Sequence, residues 1–265
     1  MTRIFTLLAA ALLISLLAFG SHGASGQAES TAAATMEGTA EAISLSNGLT
    51  LENKVSNEET AKPKIVVKVS KPVLSGATGA VVDNFNAAVD DIVKKSVTDF
   101  KTQTIQDEAT ATLPPEIASL GSFVQLSYEA LTTTDNLISI KFTVGFYSAG
   151  AAHPNAYTVP LNYDLKAGHV LALAELFKPN ANYLKTISDY SIKTLKAAGN
   201  LEFPEGATSL AENYQSYNIT AGGLQINFDP YQVMPYAAGF QQVVIPYEAL
   251  KAIINPDGAL AQFMK

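Results

Sequence analysis

Strict alternation of apolar and polar residues is the feature of this sequence that most restricts its fold. Successive side chains of a strand point to opposite faces, so each alternating run predicts a half-buried β-strand. The runs lie at residues 65–69, 124–130, 138–146 and 157–163. Pro72 is expected to end the first strand, and the turn residues 133–136 join the next two runs in a hairpin.

Two longer segments follow a helical period instead. Residues 77–101 place apolar side chains three and four positions apart, and residues 180–197 repeat the pattern before Gly199 closes that helix. Short strands are expected at residues 169–173, 216–220, 224–228 and 240–246, and a last helix at 247–254. This order predicts an α+β fold with a largely antiparallel sheet, two long helices and a short C-terminal helix.

The chain has 265 residues and no cysteine. That absence excludes a disulfide scaffold, a thiol nucleophile, a thiolate metal site and a lipidated cysteine. The folded part must therefore rely on its hydrophobic core, which a domain of about 200 residues can supply.

The first 28 residues are typical of a signal peptide. Arg3 precedes an unbroken apolar run at residues 4–19, and small residues follow that run. Cleavage is expected after one of the small residues Gly23, Gly26 and Ala28. The alternative is an uncleaved membrane anchor, because the run approaches the length of a transmembrane helix. The sequence thus predicts export to an extracytoplasmic location, periplasmic or secreted.

Residues 29–62 differ in composition from the rest of the chain. They are rich in Ala, Thr, Ser and Glu, contain no aromatic residue and show no sustained apolar period. We therefore expect a flexible acidic tether there and a domain at residues 63–265. The net charge is −7, no arginine follows Arg3, and the lysines are not clustered, so nucleic-acid binding is not expected.

Three segments carry a family resemblance: residues 64–100, 150–177 and 224–250. Within the second of them the shared elements are a Gly-Ala-Ala-His loop at 150–153, Asn-Tyr-Asp-Leu at 162–165, Lys-Ala-Gly at 166–168 and Leu-Ala-Glu-Leu-Phe at 173–177. In these elements the chain resembles the extracytoplasmic domain family of the anti-sigma factor RsiV and the peptidoglycan deacetylase PdaC. The resemblance implies an α+β domain outside the cytoplasmic membrane. It also implies lysozyme-like proteins, peptidoglycan or other glycans as partners.

The sequence departs from both proteins that define this family. Only Met1 and Thr2 precede Arg3, so no sigma-binding segment and no sigma factor partner are expected. The deacetylase metal site needs an Asp and two His at helical spacing, whereas His153 and His169 stand sixteen positions apart. The sequence therefore predicts no catalytic residue, no metal ligand and no cofactor.

Two loops supply the candidate binding residues. His153 and Asn155 lie among small residues at 148–156, and Tyr231 and Tyr236 lie in a proline-rich stretch. Tyrosine combines a broad apolar face with a polar tip, which suits sugar stacking or a protein interface. The alternatives stay open: the histidine ring can tie its loop to a backbone carbonyl, and the tyrosines can fill the edges of the core.

Carboxylates are the remaining candidates for acid–base chemistry. Asp164 stands at a turn where an aspartate commonly caps the backbone, and Glu175 begins a helix whose dipole favours negative charge. We therefore expect a non-enzymatic cell-envelope binding module. The alternatives are an accessory domain of an envelope glycan hydrolase or deacetylase, and a structural spacer.

Overall fold

The computed structural model describes residues 42–110 and 113–264. The predicted signal peptide at residues 1–28 and the first part of the predicted tether lie outside the described residues. Within the described ranges, no helix is long and apolar enough to cross a membrane.

Seven strands form the larger sheet and follow one another in chain order. They are β1 (Ile43–Ser44), β2 (Thr50–Ala61), β3 (Lys64–Ser75), β4 (Ser122–Thr133), β5 (Leu137–Tyr147), β6 (Asn155–Asp164) and β7 (His169–Val170). All neighbouring pairs are antiparallel except β3 and β4, which run parallel. A parallel pair needs a long crossover connection, and helix α1 (Ala80–Thr110) supplies it. The hairpin predicted between β4 and β5 is confirmed.

Helix α1 covers one face of the larger sheet. Phe85 and Val89 of α1 are almost completely buried, and the ring of Phe85 meets Tyr163 of β6 edge to face at 5.4 Å. The Tyr163 hydroxyl donates to the backbone oxygen of Val81 at 2.8 Å, so its polar tip is satisfied inside the core. The helix predicted at 77–101 is present, but it begins three residues later, at Ala80, and continues to Thr110.

A second, three-stranded sheet was not expected as a separate layer. It consists of β8 (Tyr217–Thr220), β9 (Gly223–Phe228) and β10 (Gln241–Ile245), with β9 in the centre. The second long helix, α3 (Tyr183–Ala198), packs against β10 and ends at Gly199, whose φ of 72° is left-handed as the cap requires. The described residues also contain two short helices, α2 (Pro115–Leu120) and α4 (Tyr247–Leu250), and several 3-10 turns. These features confirm the α+β class.

Buried polar side chains join the two sheets. Asn162 of β6 donates to the backbone oxygen of Tyr217 at 2.9 Å, and its side-chain oxygen accepts from the Ile219 N–H at 3.1 Å. The hydroxyl of Ser139 also accepts from the Ile219 N–H, and that of Thr132 donates to the Ile219 oxygen at 2.7 Å. Side chains of the larger sheet thus replace a strand partner along the outer edge of β8.

The expectation of a flexible tether at 29–62 is wrong where it falls on described residues. Residues 50–61 form β2, which pairs with β3 along its whole length of 12 residues. The side chains of β2 are mostly exposed, so backbone pairing holds the strand and the sequence shows no apolar period. The buried residues of this region are Leu45, Leu49 and Leu51. The folded domain therefore begins before residue 63.

Three other element boundaries were predicted wrongly. Strand β3 does not end at Pro72 but continues to Ser75. The pairing with β4 stops at Val69, so the missing N–H of Pro72 breaks no hydrogen bond to β4. Past the end of the β3–β4 pairing, the side chain of Asn86 makes two hydrogen bonds with the backbone N–H and oxygen of Leu74. The last helix covers four residues instead of 247–254, and β7 covers two instead of 169–173.

Candidate functional site

The two loops that the sequence analysis selected meet in the structure. Residues 148–154 connect β5 to β6, and residues 229–240 connect β9 to β10. The rings of His153 and Tyr236 stack with centroids 4.0 Å apart, and Tyr231 stacks on Tyr236 at 5.6 Å. These three residues are called the aromatic cluster below.

One backbone carbonyl joins two of the three residues of the aromatic cluster. The oxygen of Pro154 accepts from the Tyr236 hydroxyl at 2.5 Å and lies 2.8 Å from Nδ1 of His153. A carbonyl oxygen can only accept, so Nδ1 carries a proton in this contact, and Nε2 faces the Tyr231 hydroxyl at 3.5 Å. The histidine does tie its loop to a carbonyl, yet its side chain remains exposed.

Tyr231 is the exposed tyrosine of the cluster, whereas Tyr236 is partly buried. It is 52% exposed and its backbone φ is +71°, a left-handed conformation that costs a non-glycine residue roughly 1–2 kcal/mol. The next residue anchors the turn, because the Gln232 side chain donates to the backbone oxygens of Gly206 and Asn213, both at 3.0 Å. The fold therefore holds an exposed aromatic ring in a strained conformation, which is characteristic of functional loops.

A half-buried carboxylate fixes the base of this loop. Asp229 Oδ1 accepts from both the N–H and the hydroxyl of Thr158 on β6, at 2.9 and 2.8 Å. Burial raises the pKa of Asp229, and the two bonds from Thr158 act against that rise. Sequence reasoning missed the role of Thr158, since nothing in an alternating strand distinguishes a residue that anchors a distant loop.

Asn155 is not brought into the aromatic cluster. The alternation of β6 places it on the same face as Tyr157, and its side-chain oxygen accepts from the Ala156 N–H at 2.8 Å. The Thr158 N–H is capped by Asp229, and Pro160 has no N–H at all. The outer edge of β6 therefore offers no free backbone N–H at Ala156, Thr158 or Pro160, which discourages pairing with another strand. Asn155 contributes to this protection by binding the Ala156 N–H.

The two carboxylates considered for acid–base chemistry are both engaged. Asp164 Oδ1 accepts two backbone N–H bonds at 2.7 and 2.9 Å, as expected of a turn cap. Glu175 accepts from the Ala172 N–H at 2.6 Å and pairs with Nε2 of His169 at 2.9 Å. The Ala172 bond is the main cause of the lowered pKa of Glu175, and the bond to Glu175 raises the pKa of His169. The described residues contain no group of three or more His, Asp or Glu that could hold a metal ion.

Comparison with known proteins relates part of the chain to a protein family. Residues 174–248 match the family described as "Protein of unknown function (DUF3298)". The match covers 75 of the chain's 265 residues. The matched residues run from the 3-10 turn before α3, through the three-stranded sheet, to the start of α4. Tyr231 and Tyr236 lie inside the DUF3298 match, whereas His153 lies before it.

A curated relative confirms the resemblance to the PdaC domain. The chain is 27% identical over 137 residues to the peptidoglycan-N-acetylmuramic acid deacetylase PdaC of Bacillus subtilis. The match covers 50% of this chain and 29% of PdaC, so it spans less than a third of the relative's length.

Two crystal structures of DUF3298 family proteins share the fold. One, from Bacteroides fragilis, superposes with a TM-score of 0.59 at 17% identity and covers 82% of this chain and 97% of its own. The other, from Pseudomonas aeruginosa, has a TM-score of 0.58 at 16% identity and covers 78% and 95%. At these identities the likeness is one of fold, and it extends well beyond the 75 residues of the DUF3298 match.

Proposed function

We propose that this protein is a binding module for cell-envelope glycans, located outside the cytoplasmic membrane, and that it acts without catalysis. The observation that carries the proposal is the aromatic cluster, in which an exposed Tyr231 ring is held in a left-handed backbone conformation. An exposed ring supported from below by Tyr236 offers a flat apolar face to a pyranose ring, and hydroxyl and imidazole groups nearby offer hydrogen bonds.

Two further observations support a glycan and an envelope location. The related PdaC is by its name an enzyme of peptidoglycan. The DUF3298 match at residues 174–248 includes both tyrosines of the cluster. The apolar run at residues 4–19 is the kind of sequence that directs export. A non-catalytic role is supported by the carboxylates, because Asp164 and Glu175 already bind backbone N–H groups within their own turns.

Retention on insoluble peptidoglycan tests the proposal. The wild-type protein is expected to sediment with the polymer, and Tyr231→Ala is expected to stay in the supernatant. Leu210→Ala is the matched control, because Leu210 is 53% exposed but lies outside both loops of the cluster. A wild-type protein that stays in the supernatant would overturn the proposal.

Two added assays separate the rival functions. Retention on immobilised lysozyme, with none on peptidoglycan, would make the partner a protein instead of a glycan. Mass spectrometry of the incubated glycan tests the absence of catalysis. A deacetylated or cleaved product that disappears in His153→Ala would contradict a purely binding role.

A further inference from the structure

A glycine near the C-terminal end of β5 is not explained by the fold. Gly145 pairs in regular register with Gln125 on β4 and Ala156 on β6, so it marks no bulge. Its φ is not left-handed, and a Cβ added to it would meet no atom within 4 Å. Glycine weakens a strand, and where there is no bulge it commonly marks close approach of a ligand or of another backbone; no other backbone lies within 4 Å of that Cβ position. A larger side chain would be accommodated by the protein but would fill the space above the sheet.

Aromatic rings stand beside this open space. By alternation along β5, Gly145 and Tyr147 share the face opposite α1, and Phe123 lies across from Tyr147 on β4. The rings of Phe123 and Tyr147 stack at 6.0 Å with 26° between their planes, and Phe123 is 36% exposed. Strand β8 contacts this face at Ser139, further back along β5, and the residues that flank β8 and β9 reach it at Thr158.

The strand register places the rings beside Gly145 next to the loop that carries His153 of the aromatic cluster. Tyr147 is the last residue of β5, and the β5–β6 register ends at Phe146 and Asn155, which places Pro154 next to Tyr147. The carbonyl of Pro154 is the group that holds His153 and Tyr236. From β4 to β6 the surface crosses two strand spacings, about 10 Å, before the cluster begins. That length exceeds a single pyranose ring.

The charge of this surface favours an uncharged polar ligand. Gln125 and Thr143 flank Gly145 with an amide and a hydroxyl. Further along the same strands, Lys141 and Glu129 neutralise each other in an ion pair of 2.8 Å. Amide and hydroxyl groups beside flat rings suit the hydroxyl and acetamido groups of a sugar chain better than an anion or an apolar peptide.

We propose that Gly145 is the floor of an additional sugar subsite, flanked by Phe123 and Tyr147. The protein then binds a chain of several N-acetylated amino sugars that runs from this subsite to the aromatic cluster, instead of one terminal sugar. The proposal deepens the glycan-binding function proposed above and rests on it.

Isothermal titration of the full-length protein with N-acetylglucosamine and with its β-1,4-linked tetrasaccharide tests the subsite. The wild-type protein is expected to bind the tetrasaccharide at least about tenfold more tightly than the monosaccharide, the gain of one or two stacking contacts. Gly145→Val is expected to abolish that gain without lowering the melting temperature, because valine is favoured in strands and the site has room for it. Gln242→Val is the control, since it adds the same side chain at an exposed position of β10.

The outcomes distinguish this proposal from the function it rests on. If no sugar of any length binds the wild-type protein, the glycan-binding function fails. If both sugars bind with similar affinity and Gly145→Val changes neither, glycan binding stands and the subsite is refuted. A melting temperature that falls in Gly145→Val also refutes it, because the glycine would then serve the fold.

Discussion

Strand β2 and the loop before it should contribute a large part of the folding stability, although their composition is that of a linker. Leu51 is 2% exposed and packs in the core beneath α1, whereas Val55, on the same strand, is 62% exposed. The two side chains therefore form a matched pair: both are aliphatic residues of the same strand, and only one is buried. Substitution of each by alanine separates burial from strand propensity.

The two alanine substitutions are expected to differ by several kilocalories per mole in their effect on the free energy of unfolding. A buried leucine replaced by alanine loses about 2–5 kcal/mol, whereas an exposed substitution changes stability by no more than about 0.5 kcal/mol. For a domain of this size 1 kcal/mol corresponds to about 2–4 °C, so Leu51→Ala should lower Tm by about 5–20 °C. A chain that begins at Lys62 loses Leu45, Leu49 and Leu51 together. At about 1.5–3 kcal/mol each, that loss of roughly 5–9 kcal/mol rivals the whole stability of an ordinary domain.

Thermal unfolding followed by circular dichroism measures all three changes. Chains beginning at residue 42 and at Lys62 are compared with each other, and Leu51→Ala is compared with Val55→Ala in the full-length protein. A shortened chain from Lys62 that melts with the chain from residue 42 would refute the assignment of β2 to the domain. Equal melting temperatures for the two alanine variants would refute the role of Leu51 as a buried core residue.

Three further outcomes are expected. Asn162→Leu leaves the Tyr217 oxygen without its donor and the Ile219 N–H with Ser139 as its remaining acceptor, and urea unfolding should show a loss of about 1–3 kcal/mol. His169 has a raised pKa in the folded state, so its pairing with Glu175 stabilises the protein below the unfolded pKa of about 6.5, and that stability is lost as pH rises through the folded pKa. The pair is exposed, so the increment between pH 5 and pH 9, measured against His169→Gln by urea midpoints, should stay below about 1 kcal/mol. Tyr231→Gly should relieve the left-handed strain and raise Tm by a few degrees while abolishing retention on peptidoglycan; an unchanged or lower Tm would show that the conformation is not strained.

Elements with a buried face were predictable from the sequence, and elements held mainly by backbone pairing were not. The alternating residues of β4, β5 and β6 and the apolar stripe of α3 all place side chains in the core, so their periods are visible. Strand β2 buries little besides Leu51 and owes its place to the register with β3. Its glutamates and asparagines reflect an exposed sheet edge, where charge discourages pairing with other chains.

The residues of the candidate site were predictable one by one, but their arrangement was not. His153 and Tyr231 drew notice because each stands in a constrained loop, and they are separated by 78 positions. Only the fold of the chain shows that Pro154 and Thr158 bring the loops together. Gly145 could have been noticed, since it interrupts an otherwise regular alternation of β-forming residues.

The contacts between ligand and ring test the central claim most directly. With the aromatic rings of tyrosine and phenylalanine isotope-labelled, intermolecular nuclear Overhauser effects can be measured between the protein and the β-1,4-linked tetrasaccharide of N-acetylglucosamine. Glycan binding at the aromatic cluster predicts cross-peaks from sugar ring protons to Tyr231, and the extended site predicts further cross-peaks to Tyr147 and Phe123. Cross-peaks confined to rings elsewhere in the protein, with none to Tyr231, would contradict the claim.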